Sequence, residues 1–162
     1  MSVVRRDRAC GFTLLELVIA LAVLSVLITM AAPVLRLQLQ RQKEAELRTA
    51  LRDIRSALDD YKRASEDGRI KLAADASGYP ASLDILVDGV NDARFPQGKL
   101  VYFLRRLPRD PMAPDASVPA SQTWGTRSYA SPPGAPASGV DVFDVYSLSD
   151  KKGINGLSYK DW

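Results

Sequence analysis

The chain has no histidine and a single cysteine, Cys10, among its 162 residues. Without histidine, serine-histidine and cysteine-histidine nucleophilic systems are excluded, as are zinc sites built on imidazole. There is no glycine-rich phosphate loop either, so the chain does not read as a nucleotide hydrolase. A pair of carboxylates can hydrolyse a glycosidic bond unaided, but no acidic pair here stands in a recognisable motif, and the chain reads as a non-enzyme. One cysteine forms no intrachain disulfide, the usual staple of small extracytoplasmic domains. Charge of one sign is scarce as well. The formal net charge is +3, and once residues 1–11 with Arg5, Arg6, Arg8 and Asp7 are set aside, 19 basic residues face 18 acidic ones. That balance carries no electrostatic footprint for nucleic acid.

What the chain does have is a long apolar run near its start. No charged residue occurs from Leu17 to Leu35, and a bilayer core about 30 Å thick is crossed by a helix of roughly 20 residues. The arginines in front of it predict a cytoplasmic N-terminus, with the rest of the chain translocated. A secretory signal peptide is the competing reading, with Ala31 and Ala32 as its cleavage site. Its apolar core would span only about 7 to 15 residues, Pro33 would follow the cut directly, and Glu16 would have no purpose.

Gly11-Phe12-Thr13-Leu14-Leu15-Glu16 stands at the entrance of the run, with Pro33 deeper inside. This pattern resembles the class III signal of type IV pilins and type II secretion pseudopilins. The resemblance implies that a prepilin peptidase cuts between Gly11 and Phe12 and methylates the new N-terminus at Phe12. Physics supplies an independent reason for the glutamate. A freed α-amino group has a reference pKa near 8, and leaving it uncompensated among apolar helices is costly. A close carboxylate offsets about 4 kcal/mol of this at an effective dielectric of 20, before desolvation. Glu16 reaches either its own N-terminus, one turn away, or that of a neighbouring subunit; the resemblance implies the second, setting register in a filament. Pro33 removes one helix hydrogen bond and crowds the carbonyl of Thr29, so a bend or local melting is expected there. It reads equally as an extensible joint or as a plain kink.

Beyond Pro33 the helical pattern continues to Ser65-Glu66-Asp67-Gly68. Leu47, Leu51, Ile54, Leu58 and Tyr61 recur at four- and three-residue spacing, which draws one apolar face. Ala50, Ala57 and Ala64 widen it. About two heptads is short for a coiled coil, so the stripe is expected to pack against the protein's own sheet. Glu44 with Arg48, and Asp59 with Arg63, stand as acid-then-base pairs four apart and predict a solvated surface. Arg48, Arg52 and Arg55 share a further face, read as solvent-exposed or as a subunit contact in preference to a phosphate site.

The remainder alternates short blocks. Tyr79 to Val87 has a proline at a helix-start position, apolar residues at Leu83, Leu86 and Val87, and Gly89 as a stop, which predicts a short helix. Phe103 to Pro111 carries two prolines and predicts a turn. Trp124 and Tyr129 are placed on one strand and Val140 to Leu148 on a second, with Ser131 to Pro136 as a loop between them. Tyr79-Pro80, Leu104 to Pro111, Trp124, Asp144-Val145-Tyr146-Ser147 and Asp161-Trp162 extend the resemblance to component G, the major pseudopilins of type II secretion systems. It implies that Pro108, Asp110 and Pro111 form a structural turn without chemistry. Many members hold calcium in the loop after the second strand. Here Asp150 matches, with Asn155, Ser158 and Asp161 as further oxygen donors, but Lys151 and Lys152 oppose a divalent cation that wants six to eight oxygens. The expectation is no cofactor, with calcium as the alternative.

The expected architecture is an α+β pilin-like fold: a cleaved leader (1–11), a transmembrane and assembly helix (12–35), its continuation (36–66), and a periplasmic α/β region (67–162) packed on that continuation as a small antiparallel sheet. The resemblance implies a single-pass inner-membrane subunit that self-associates into a short periplasmic filament driving protein export. Its partners would be other pseudopilins, the peptidase and the inner-membrane secretion platform. A type IV pilin or minor pilin of a surface filament is the alternative, and a monomeric membrane-anchored binding module a more distant one.

Overall fold

The structure is a computed structural model. It describes residues 13–162 apart from 74 and 96, and the backbone alone for 30–32. The expected leader, Cys10, Gly11 and Phe12 lie outside the described residues. One helix, α1, runs over Leu14–Glu66. Its start is fixed by Thr13, whose hydroxyl accepts the Glu16 N–H at 3.2 Å while its carbonyl accepts the Leu17 N–H, also at 3.2 Å. This is the Thr-x-x-Glu pattern of a helix N-terminus, and it satisfies donors that the first turn otherwise leaves open. Its end is closed at Gly68, with φ +70°: the Arg69 N–H returns to the Ala64 carbonyl and the Gly68 N–H to that of Ser65. Only a left-handed residue closes both bonds, which is glycine's place in this cap.

The chain divides into two compact units, ending and beginning at Gln40 and Arg41. In the first, the apolar side chains of α1 are exposed, Leu21 at 58% and Ile28 at 62%. In the second, the expected stripe is the core. Leu47, Leu51, Ile54, Leu58, Tyr61 and the three alanines are all buried, joined by Leu83, Leu86, Trp124, Val142 and Val145. Each fully buried aliphatic side chain of this kind contributes about 1.5–3 kcal/mol.

The strands form two separate antiparallel ribbons, β1 (Val90–Asn91) with β2 (Leu100–Val101), and β3 (Trp124–Arg127) with β4 (Asp144–Ser147). Trp124 lies opposite Ser147 and Arg127 opposite Asp144. Gly125 is placed where a side chain would run into the Tyr146 ring, so the ring covers bare backbone. The first ribbon has no counterpart in the sequence reading, since two-residue strands carry no alternation to detect.

Three elements are shorter than expected, for one reason. The helix placed over Tyr79–Val87 is only α2, Ile85–Asp88. The carbonyl of Pro80 is taken by the Val142 N–H at 2.8 Å instead of by a helical donor. Tyr129 lies beyond β3 because Ser128 turns its N–H to Ala137 and Tyr129 gives its own to the Asp141 carboxylate. The second strand pairs only from Asp144, Val142 being committed to Pro80. Tertiary hydrogen bonds claimed the backbone groups that regular structure would have used.

Candidate functional site

The first part of α1 contains a stretch long and apolar enough to cross a membrane, with a mean hydropathy of 2.6 and none of that stretch buried within the molecule. Glu16 is exposed at its beginning, its backbone held by the Thr13 cap. The cap is a role for Glu16's position that the processing motif alone does not reveal, although the Thr-x-x-Glu spacing carries it in plain view. Further along, Thr29 donates its hydroxyl to the Ser25 carbonyl at 2.7 Å, and α1 continues through Pro33 without interruption.

The second feature secures the C-terminal region in a chain whose only cysteine is Cys10. Glu44, read from the sequence as a surface partner of Arg48, is instead buried. Its Oε1 accepts the Ile154 N–H at 2.8 Å and the Tyr159 hydroxyl at 3.0 Å, joining α1 to a segment more than 100 residues away. The physical reason is register: residue 44 continues the buried series 47, 51, 54, 58 and 61, so its side chain points inward and needs donors there. An acid on an apolar stripe was the available signal. Asp59 likewise does not pair with Arg63 through its side chain. Arg63 binds the Asp60 carboxylate, and only the Asp59 carbonyl, at 3.4 Å.

Arg55 makes the second tie. It donates to Asp144 Oδ1 at 2.8 Å, to the Val145 carbonyl at 3.1 Å and to the Trp162 backbone oxygen at 2.9 Å. Arg48 lies 4.4 Å from the centroid of the Trp162 ring, which itself meets Tyr159 edge-on at 5.1 Å. Two arginines of this face of α1, Arg48 and Arg55, are therefore engaged by the C-terminal segment.

The loop named for the calcium alternative is held by its own side chains. Asp150 is engaged by the ammonium of Lys160, whose pKa is raised by that hydrogen bond and charge. Asn155 Oδ1 accepts the Leu157 N–H, and Ser158 Oγ the Lys160 N–H. Among the described residues no three acidic side chains gather in a metal-ligating cluster.

The Leu-Pro-x-Asp-Pro segment is structural. Asp110 is buried, accepting the Met112 N–H at 2.7 Å and the Ser147 hydroxyl at 2.6 Å, while Trp124 Nε1 donates to the Pro108 carbonyl. The segment thereby pins the turn to β3 and β4. At the opposite end of α1, buried Asp92 accepts the Arg94 N–H and two bonds from Arg69, and these hold its carboxyl below the usual range.

Residues 6–32 match the prokaryotic N-terminal methylation motif. The match covers Gly11, Phe12 and Glu16 and stops just short of Pro33. No curated protein and no solved structure matches the chain. The chain thus carries a type IV pilin-like prepilin signal on a helix fit for a membrane, ahead of an α+β unit.

Proposed function

We propose that this chain is a structural subunit of a type II secretion pseudopilus, assembling through the first part of α1 into a short periplasmic filament that drives protein export. The observation that carries the proposal is the methylation motif joined to an apolar helix segment with nothing buried against it. A prepilin peptidase cuts between Gly11 and Phe12 and methylates Phe12. Before assembly the subunit waits in the inner membrane, its N-terminus cytoplasmic and its C-terminal domain periplasmic. In the filament, Glu16 answers the new α-amino group of a neighbouring subunit, and Pro33 marks the point where α1 yields under axial load. A pseudopilus is favoured over a surface pilus because the proposed mature chain has no cysteine for a C-terminal disulfide. Glu44 and Arg55 fill that role, without calcium.

The test is the intact mass and N-terminal sequence of protein from membranes, with and without the peptidase. A start at methylated Phe12 that depends on the peptidase supports the proposal, and a start after Ala32 or an intact Met1 overturns it. Glu16→Ala is expected to leave cleavage intact and reduce filament yield at least tenfold. A yield equal to that of the native chain removes the assembly role from Glu16.

A further inference from the structure

The chain has two asparagines, Asn91 and Asn155, and the fold treats the backbone nitrogen after each of them differently. Asn91 lies in β1, and the N–H of the buried Asp92 that follows it donates across the ribbon to the Lys99 carbonyl at 2.8 Å. That nitrogen is locked. Asn155 and Gly156 are both exposed, in the short loop that joins Lys152 to Ser158. Gly156 has φ +81° and nothing lies within 4 Å of where a side chain would begin, so neither a side chain of its own nor a neighbour crowds it there. Asn155 Oδ1 accepts the Leu157 N–H at 3.1 Å. That donor stands where negative charge would gather if the side-chain carbonyl carbon were attacked. One bond opposes the attack: the Gly156 N–H donates to the Gly153 carbonyl at 2.9 Å. The loop containing this bond is in turn held to α1 by Glu44, through the Ile154 N–H.

We infer that Asn155 is a site of spontaneous deamidation whose rate is set by the loop's attachment to Glu44. When the loop opens, the Gly156 nitrogen, deprotonated by hydroxide, forms a bond to Asn155 Cγ. The bond from Cγ to the side-chain nitrogen breaks, and that nitrogen takes a proton from water and leaves as ammonia. The product is a cyclic succinimide, which water opens in either of two ways. Cleavage of the new bond restores the backbone with aspartate at 155. Cleavage of the original peptide bond to Gly156 leaves isoaspartate, whose backbone passes through Cγ and is one atom longer. The Gly153 N–H bond to the Leu157 carbonyl, at 2.8 Å, spans this segment, so the longer backbone breaks the turn that presents Ile154 to Glu44. The modification thereby releases the C-terminal segment. A group that reacts only from an opened loop reacts in proportion to the open population, and weakening the Glu44 tie therefore speeds the reaction.

The full-length chain in detergent tests this, incubated at mildly alkaline pH and mapped by peptide mass spectrometry for acid and isoaspartyl forms at each asparagine. Asn155 is expected to convert at least tenfold faster than Asn91. Tyr159→Phe, which removes one bond to Glu44, and Glu44→Ala, which removes the carboxylate, are expected to raise the Asn155 rate in that order, by about tenfold for Glu44→Ala. If Glu44→Ala does not fold, Tyr159→Phe decides alone. Aged native chain is expected to be cut near Ile154 sooner than fresh chain. Aged Asn155→Gln is not, since glutamine closes such a ring far more slowly. Equal rates at the two asparagines overturn the inference, as does an Asn155 that stays intact or a rate that neither variant changes. Equal proteolysis of fresh and isoaspartyl chains overturns it as well.

Discussion

The two parts of α1 are continuous in backbone and opposite in their use of apolar side chains. Before Gln40 leucine, valine and isoleucine lie all around the helix and remain exposed, and after Arg41 they are confined to one face and are buried. An all-round apolar surface asks for lipid or other helices, whereas a single stripe asks for a domain of its own. One unbroken helix thus contains a segment whose environment the molecule does not supply and another whose environment it supplies in full.

The sharpest way to break this contrast is to truncate equivalent side chains in each part. Ile54→Ala, at a site with no exposure, is expected to destabilise the domain by about 2–5 kcal/mol. Ile28→Ala, at 62% exposure, is expected to leave its unfolding midpoint unchanged. Thermal unfolding of the full chain in detergent reads both, and a shift at Ile28 comparable to that at Ile54 ends the comparison.

Next in size is the acid on each part. Glu44→Ala removes the carboxylate that accepts the Ile154 N–H and the buried Tyr159 hydroxyl, at an expected cost of about 1–3 kcal/mol, and limited proteolysis is expected to open the segment around Ile154 first. Tyr159→Phe removes one bond and is expected to cost about 1 kcal/mol. Glu16→Ala is expected to leave this unfolding midpoint where it was.

A smaller effect is expected on acidification. Hydrogen bonds from Arg94 and Arg69 depress the Asp92 carboxyl. Asp141 is depressed as well: burial opposes its ionisation, but bonds from Ser128, Ser77 and Tyr129 outweigh it. A folded pKa below the unfolded one means that the unfolded chain takes up protons first. The resulting stability is complete well above the ordinary aspartate value near 3.9 and is lost as pH falls through and below it. Asp92→Asn is expected to flatten the acid limb of a midpoint-against-pH curve measured from pH 6 to pH 2. The smallest effect concerns metal: with Lys160 on Asp150, exchanging calcium for a chelator is expected to leave the midpoint in place. A rise of several degrees with calcium shows instead that the lysine is displaced.

Much of the helix was legible because its signals are periodic or chemical. The stripe from Leu47 to Ala64 is the core it announced, and the glycine after Asp67 closes the helix where a left-handed residue was available. The processing motif was legible for the same reason, since its residue types and order carry its chemistry. The short strands were less so. Backbone groups of Pro80, Ser128 and Val142 are spent on partners distant in sequence, and no local pattern records such a debt. Glu44 was misread because an i, i+4 acid and base suggested a surface pair, while its place on the stripe spoke for burial.

By itself, then, the sequence determined the apolar segment, the methylation motif and the face α1 turns inward, because hydropathy and spacing are properties of neighbouring residues. Only the tertiary structure decided that Glu44 and Arg55 bind the C-terminal segment, that Lys160 takes Asp150, and that the strands form two ribbons. Those outcomes depend on which donors and acceptors meet across the fold, and a buried polar group accepts whichever partner the packing brings to it.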